Sequence, residues 1–297
     1  MDGALVVDKP ETWTSHDVVA RMRTLARTKR IGHLGTLDPM ATGVLPLVIG
    51  RATRLAQFYG RDQKIYEGVI RFGYSTHTYD KDGQPTSEKV VPNVDIVQLE
   101  QSIAAFRGTF LQTPPPVSAK KVGGTAAHKL VRKNVPVELT PVEVTVHSLE
   151  LLEFTGEAVS VRIVCSAGTY LRSIAHDLGK SLGCGAHLET LRRTASGEFK
   201  VECAYSLKQL EAMASEGRLE EAILPAAEML PVFPKELIDP FTAGQIRQGR
   251  DFRVSPFRAR GASQYVKAVT ADGELVAIGE MRLPHVYHPI LVFRALE

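Results

Sequence analysis

Apolar positions along this chain fall in short runs broken by Gly, Pro, Thr and Asp, with only a few stretches at helical spacing. Residues 4–7 form an apolar run that predicts a short strand, stopped by the Lys9-Pro10 turn. Thr14 or Ser15 can cap a helix to about residue 28, with Val18, Val19, Met22 and Leu25 on one face. After a Gly-rich loop, residues 44–49 read as a buried strand, 52–59 as a short helix and 65–72 as a strand. Residues 73–92, with Asp82-Gly83, predict a long hairpin or excursion. The spacing of Ile96, Leu99, Ile103 and Phe106 predicts a helix over 95–106, and Pro114, Pro115 and Pro116 then block regular structure. Strands are expected over 142–153 and 158–166, a helix from Gly168 to about 182, and further strands near 186–201. The stretch 206–230 reads as mostly helical, divided by Gly217 and Pro225. Pro231-Val232-Phe233-Pro234 is the linker candidate, and beyond it short strands and turns such as Asp272-Gly273 suggest a small β-rich module. The class is α+β with a β-rich appendage.

A length of 297 residues suits one large domain with a small one appended. Three cysteines without a Cys-x-x-Cys pair argue against a zinc ribbon or a disulfide framework and fit a reducing cytosol. The first residues carry charge too early for a signal peptide, and no apolar run approaches the roughly 20 residues of a membrane helix, so a cytoplasmic protein is expected. The net charge of +3 says little, but its distribution says more. Arg21, Arg23, Arg27, Lys29 and Arg30 form one acid-free cluster; Arg107, Lys120, Lys121, Lys129, Arg132 and Lys133 form a second. A third holds Arg247, Arg250, Arg253, Arg258, Arg260 and Lys267 against Asp251, while 209–230 is acidic. One face suited to a polyanion is the reading these clusters favour over scattered solvated charges.

Residues 32–46 read Gly-His-Leu-Gly-Thr-Leu-Asp-Pro-Met-Ala-Thr-Gly-Val-Leu-Pro, with Asp38 in the middle. Taken alone, Asp38-Pro39 has an ordinary explanation, an Asp-capped turn with a fixed φ after it. An acid displayed without a second acid, Ser or Cys nearby also suits a nucleophile or a base. The glycines match neither a dinucleotide fingerprint nor a P-loop. His33 is read as a packed loop residue, Tyr66 as a core or interface aromatic, and Arg172 as a surface helix residue, when each is taken singly. His285 and His288 lack a third ligand nearby, so no metal is expected.

Together these residues resemble the TruB family of tRNA pseudouridine synthases. The Gly32-to-Pro46 loop resembles its catalytic motif, with Asp38 as the aspartate, and Lys9-Pro10 resembles its N-terminal Lys-Pro element. Lys64-Ile65-Tyr66 resembles the tyrosine motif, Gly168-Thr169-Tyr170-Leu171-Arg172 the arginine motif, and Leu191-Arg192-Arg193 the Leu-Arg-Arg element near the cleft. The pattern departs in one segment: Val117-Ser118-Ala119-Lys120-Lys121 lacks the family's first tyrosine, and His128 stands near the place of a later one.

The resemblance implies a fold, an activity and a partner. The fold would be a mixed, largely antiparallel sheet flanked by helices over 1–230, with an RNA-binding insertion around 107–135 and a PUA-like module over 231–297. The activity would be isomerisation of the uridine at tRNA position 55, in the T loop, without metal or cofactor. Asp38 would be the nucleophile, Tyr66 the platform under the uracil and general base, and Arg172 the partner of Asp38. His33 would help fill the gap left by the flipped base and Leu191 would wall the uracil pocket. Lys9, Lys120, Lys121, Lys129 and Arg132 are the expected RNA contacts. The enzyme would act as a monomer with no obligatory protein partner. Two other readings stay open at this level: a non-catalytic RNA-binding or RNA-folding protein on the same fold, and an RNA-guided relative acting within a protein–RNA complex.

Overall fold

The computed structural model describes residues 1–118, 139–255 and 263–293, together with the backbone of 121–122 and 125–126. A large mixed sheet organises it. Strands β1 (Gly3–Lys9), β2 (Ile31–His33), β3 (Thr42–Ile49), β4 (Lys64–Phe72) and β5 (Gly108–Gln112) precede a two-stranded ribbon of β6 (Lys121–Val122) and β7 (Thr125–Ala126). The long strands β8 (Val142–Phe154), β9 (Ala158–Cys165) and β10 (Ala186–Ser196) follow. Along the large sheet the order is Tyr205–Ser206, β1, β3, β10, β4, β9, β8, β5, with β2 pairing β3 at the side. Most pairings are antiparallel; β3 with β10 and β1 with Tyr205–Ser206 are parallel.

The period of two along each strand explains why the sheet is covered on both sides. Leu5 and Val7 of β1, with Leu45, Leu47 and Ile49 of β3, join one core. Their neighbours Ala4, Val6, Val44 and Val48 join a second. The first core takes the apolar faces of α1 (Ser15–Leu25), α2 (Ile96–Ala104), α3 (Leu171–Ser181) and α4 (Leu207–Ser215). The second is shared with the C-terminal sheet through Val269, Leu275, Ile278, Leu291 and Phe293. A run that reads as uniformly apolar, such as 4–7, is therefore a strand buried on both faces.

Helix starts follow their caps. Thr14 and Asp17 form a reciprocal capping box on α1, Asp95 accepts from the amides of Val97 and Gln98, and Ser206 and Gln209 repeat the box on α4. Several expected elements are corrected. The short helix expected over 52–59 is a 3₁₀ helix that starts two residues earlier, Gly50–Phe58. α1 ends at Leu25 because the chain turns left-handed at Arg27 (φ 49°), and α3 begins at Leu171, after Gly168 at φ 88°. The acidic 206–230 stretch is helical only over α4 and a 3₁₀ turn at Leu219–Ala222; Gly217 breaks it.

The C-terminal sheet runs Lys235–Ile238, Tyr265–Thr270, Leu275–Leu283, Val286–Val292, Phe252–Arg253, and fits the PUA-like module. It also carries a helix, α5 (Pro240–Arg247), that the strand-and-turn pattern did not suggest; Asp239 caps it and Pro240 opens it. The 231–234 segment is packed down: Phe233 lies 5.4 Å from Phe58 and 5.1 Å from Tyr265, ring centre to ring centre. Lys267, fully buried, donates to the carbonyl of Met229 at 2.6 Å.

At Gly43 three strands meet with no room for a side chain. The residue sits at φ 98°, between Lys9 of β1 and Arg193 of β10, and a Cβ there would lie 2.2 Å from the Arg193 carbonyl oxygen. Gly43→Ala combines a left-handed φ with a backbone clash and is expected to lose about 3 kcal/mol of stability. Urea unfolding measures it; an unchanged midpoint would show that the strands can part at this point without cost.

Candidate active site

Residues 34–41 connect β2 to β3 without regular structure, so their backbone groups need other partners. Two buried cations supply part of them. The Lys9 ammonium donates to the carbonyls of Pro10 (2.8 Å), Trp13 (2.6 Å) and Pro39 (3.2 Å). From the other side the Arg193 guanidinium donates to Val44 (2.7 Å) and Gly35 (3.1 Å), with Thr36 at 3.5 Å. Ser15, at the first turn of α1, completes the cradle: its hydroxyl accepts from the Leu37 amide at 2.8 Å and donates back to the Leu37 carbonyl at 3.2 Å. The amide of Thr12 donates to the Pro39 carbonyl at 2.9 Å. Asp38 is thus carried by a loop tied to β1, α1 and β10.

Arg172 meets Asp38 from α3. Its Nη2 donates to Asp38 Oδ1 at 2.9 Å, and its Nε lies 2.8 Å from Oδ2, the two-point pairing that fixes both side chains. The guanidinium is not on the surface as a helix arginine usually is; its side chain is 5% exposed, against 33% for Asp38. Its far side is held too. Nη1 donates to the Thr78 carbonyl at 3.1 Å and lies 3.3 Å from Asp80 Oδ2. Asp80 is nearly buried; burial pushes its carboxyl up, while the hydroxyl of Thr78 and Arg172 draw it back down. Sequence reasoning missed Asp80, which lay in the 73–92 excursion with nothing to tell it from a turn residue.

The sheet register places the remaining residues. Gly43, Arg193 and Tyr66 are opposite one another on β3, β10 and β4, and Leu191 is opposite Gly68. A cavity of about 460 Å³ opens over this row, lined among others by Asp38, Arg172, Tyr66, Leu191, His33 and Tyr170. The Tyr66 phenol is pushed up by burial, and the neighbouring Arg193 pulls it partly back. Burial lowers His33, whose Nδ1 accepts from the Gly35 amide at 3.3 Å. Lys9 is brought down to about 8 by burial, with Asp38 drawing it up, and Lys64 to about 8 by burial with Arg193 adding to the effect. Lys64 donates to Ser196 Oγ at 2.7 Å. Among the described residues no group of three or more His, Cys, Asp or Glu is arranged to hold a metal ion.

Asp38, Tyr66, Arg172, His33 and Leu191 therefore share one cavity. Lys9 does not offer itself to RNA as expected: it is fully buried and its donors go to backbone carbonyls, those of Pro10 and Trp13 beside it and that of Pro39 in the Asp38 loop. Lys120, Lys129 and Arg132 lie outside the described residues, as does His128, and Lys121 is described only as part of β6.

Comparison with known proteins gives these residues a setting. The N-terminal domain model of the TruB family pseudouridylate synthases matches residues 23–171, and the tRNA pseudouridylate synthase B C-terminal domain model matches 172–231. The chain is 61% identical to tRNA pseudouridine synthase B of Solibacter usitatus over 292 residues, covering 98% of this chain and all of that one. It is 42% identical to the protein of that name in Thermobifida fusca, covering 98% of each. Among solved structures it resembles a chain of an H/ACA RNP bound to a substrate RNA containing 2′-deoxyuridine, with a TM-score of 0.73, 26% identity, and 99% and 85% of the two chains covered. A chain of a Cbf5-Nop10-Gar1 complex matches with a TM-score of 0.69 and 29% identity, covering 94% and 78%.

Replacing Lys9 by Met would keep the packing but leave the Pro10 and Trp13 carbonyls without that donor. The expected loss is about 2 kcal/mol of stability, since each buried acceptor left unpaired costs roughly 1–3 kcal/mol and the relieved burial of the ammonium offsets part. The loss should appear in urea unfolding together with faster amide exchange at Leu37 and Ala41. Unchanged exchange there would show that Lys9 does not hold the loop.

Proposed function

The chain belongs to the TruB family of pseudouridylate synthases, and we propose that its Asp38 is the nucleophile acting on the uridine at position 55, in the T loop of tRNA. The protein is an enzyme that isomerises uridine to pseudouridine in tRNA. The reaction breaks the bond from ribose C1′ to N1, turns the uracil, and joins C1′ to C5. C5 gives up its proton and N1 gains one, so neither oxidant nor net water is consumed.

The observation that carries the assignment is Asp38 held by Arg172 at the wall of a cavity large enough for a nucleotide. A carboxylate fixed by two contacts and still one-third exposed can reach a bound sugar or base without rearranging. Tyr66 forms the platform for the extruded uracil, and its oxygen takes the C5 proton; the Arg193 guanidinium beside it opposes the rise that burial imposes on the phenol. Leu191 walls the base pocket, and His33, which lines the same cavity, fills the stack behind the flipped nucleotide. Extrusion costs a few kcal/mol and is cheapest in a single-stranded loop, which favours the T loop over a stem.

The basic segment with Lys120, Lys121, Lys129 and Arg132 clamps the T-stem phosphates in this reading, and binding should weaken as salt rises. Residues 1–230 act as the catalytic unit and 231–297 as the RNA-binding module, in a monomer that needs no protein partner. No helix among the described residues is long and apolar enough to cross a membrane, and a tRNA substrate favours work in the cytoplasm.

Release of tritium from C5-labelled uridine in a bare tRNA transcript tests the assignment. Purified protein alone should release it. Asp38→Ala is expected to abolish release while tRNA affinity stays within about 1 kcal/mol of wild type. Equal rates for the two proteins would overturn the enzymatic role of Asp38 and favour a binding or folding function on the same fold. A requirement for added protein or guide RNA would instead point to a complex.

A further inference from the structure

The turn that grips the far side of Arg172 contains a residue that the roles assigned above leave unused. Tyr79 lies between Thr78, whose carbonyl accepts from Arg172, and Asp80, whose carboxylate pairs with it. Its φ is 65°, a left-handed conformation uncommon for any residue with a side chain and rarer for a bulky one. The backbone around it is pinned: its amide donates to the Thr76 carbonyl at 3.2 Å, its carbonyl accepts from Leu188 at 3.0 Å, and the Thr76 hydroxyl donates to the Asp80 carbonyl at 2.7 Å.

The ring of Tyr79 is stacked on His176, centre to centre 3.8 Å and only 10° from parallel. His176 stands four residues after Arg172 on α3, one helical turn further along the same face. Its Nδ1 is buried and has no hydrogen-bond partner among the described residues, so the stack rather than a polar contact orients the imidazole. One helix therefore holds one turn at two points: Arg172 by hydrogen bond and charge, His176 by ring contact.

We propose that the Tyr79–His176 stack is a positioning device that keeps the Thr78–Asp80 turn against Arg172 and so sets the pose in which Arg172 presents Asp38. The inference rests on the reading of Asp38 as the reacting carboxylate. Without the stack the turn can relax toward negative φ, carrying the Thr78 carbonyl and the Asp80 carboxylate away from Nη1. A displacement on the order of 1 Å in a reacting group can cost on the order of a hundredfold in rate.

The test is a single-turnover tritium release with enzyme in saturating excess over labelled tRNA, alongside the tRNA Kd. Tyr79→Phe and His176→Phe keep a stacked pair and are expected within about twofold of wild type. Tyr79→Asn tolerates left-handed φ but lacks the ring, and His176→Ala lacks the other. Each should slow the step roughly 10- to 100-fold with Kd within about twofold, and the double variant should be no slower than the slower single one. Full rates in Tyr79→Asn and His176→Ala would overturn the proposal, as would Phe variants slowed as much as the ringless ones, or losses confined to Kd. If Tyr79→Asn fails to fold by circular dichroism, the contrast between His176→Phe and His176→Ala decides alone. Asp38→Ala separates the two readings. A wild-type rate there sinks the Asp38 assignment and this one with it; no activity there, with full speed in the ringless variants, sinks the stack alone.

Discussion

A loop without secondary structure can hold a side chain in one pose only if its own backbone is fully engaged, and here two buried cations do much of that. Lys9 and Arg193 approach the Asp38 loop from opposite sides, and both spend their donors on carbonyl oxygens rather than on carboxylates. Burying a charge without a carboxylate in direct contact is costly, and burial brings Lys9 down to about 8 although Asp38 draws it up. The carbonyl contacts offset it. An apolar plug of the same volume would pack as well and would leave those oxygens unpaired. Paired to carbonyls, the cations rigidify the loop without taking up the Asp38 oxygens, which are left to Arg172 and the open cavity.

The sheet supplies the ruler. The sequence of neighbours β3, β10, β4 sets Gly43, Arg193 and Tyr66 in one row, and a slip of one residue would turn Arg193 and Tyr66 to the opposite face. β9 pairs with β4 so that Ile163 is opposite Tyr66, and the chain leaving β9 turns directly into α3. Arg172 reaches Asp38 because these two connections are short, while Asp80 reaches Arg172 through the bridge between Asp80 and Leu188 at the edge of β10.

How much could be read from the sequence depended on whether the signal was local. Strands β1, β3 and β4, the capped helices and the crowded Gly–Thr–Pro loop around Asp38 are local patterns, and the family resemblance joined that loop to Tyr66 and Arg172. Burial was not legible. Arg172 and Lys9 look like surface residues in sequence, and only the packing of α3 and β1 shows that both are enclosed. Asp80 sits in an irregular stretch where an Asp normally serves a turn; its ion pair joins residues 92 positions apart, beyond any periodicity. The helix α5 is short and opens on a proline, so turn signals masked it.

The cavity wall and the seam to the C-terminal sheet are parts of one construction. Tyr59 lines the cavity, and its hydroxyl donates to Glu198 at 2.7 Å. Glu198 also accepts from the amide of Leu230, the residue at which the chain turns left-handed before the 231–234 segment. Burial drives both the Tyr59 phenol and the Glu198 carboxyl upward, because the seam keeps water from the pair. What excludes it is the second core, which includes residues from β1, β3 and the C-terminal sheet, and the three-ring contact of Phe58, Phe233 and Tyr265. Packing of the C-terminal sheet therefore bears on the far wall of the cavity as directly as Lys9 bears on the near one. The module proposed to hold RNA is also part of what keeps the site in shape.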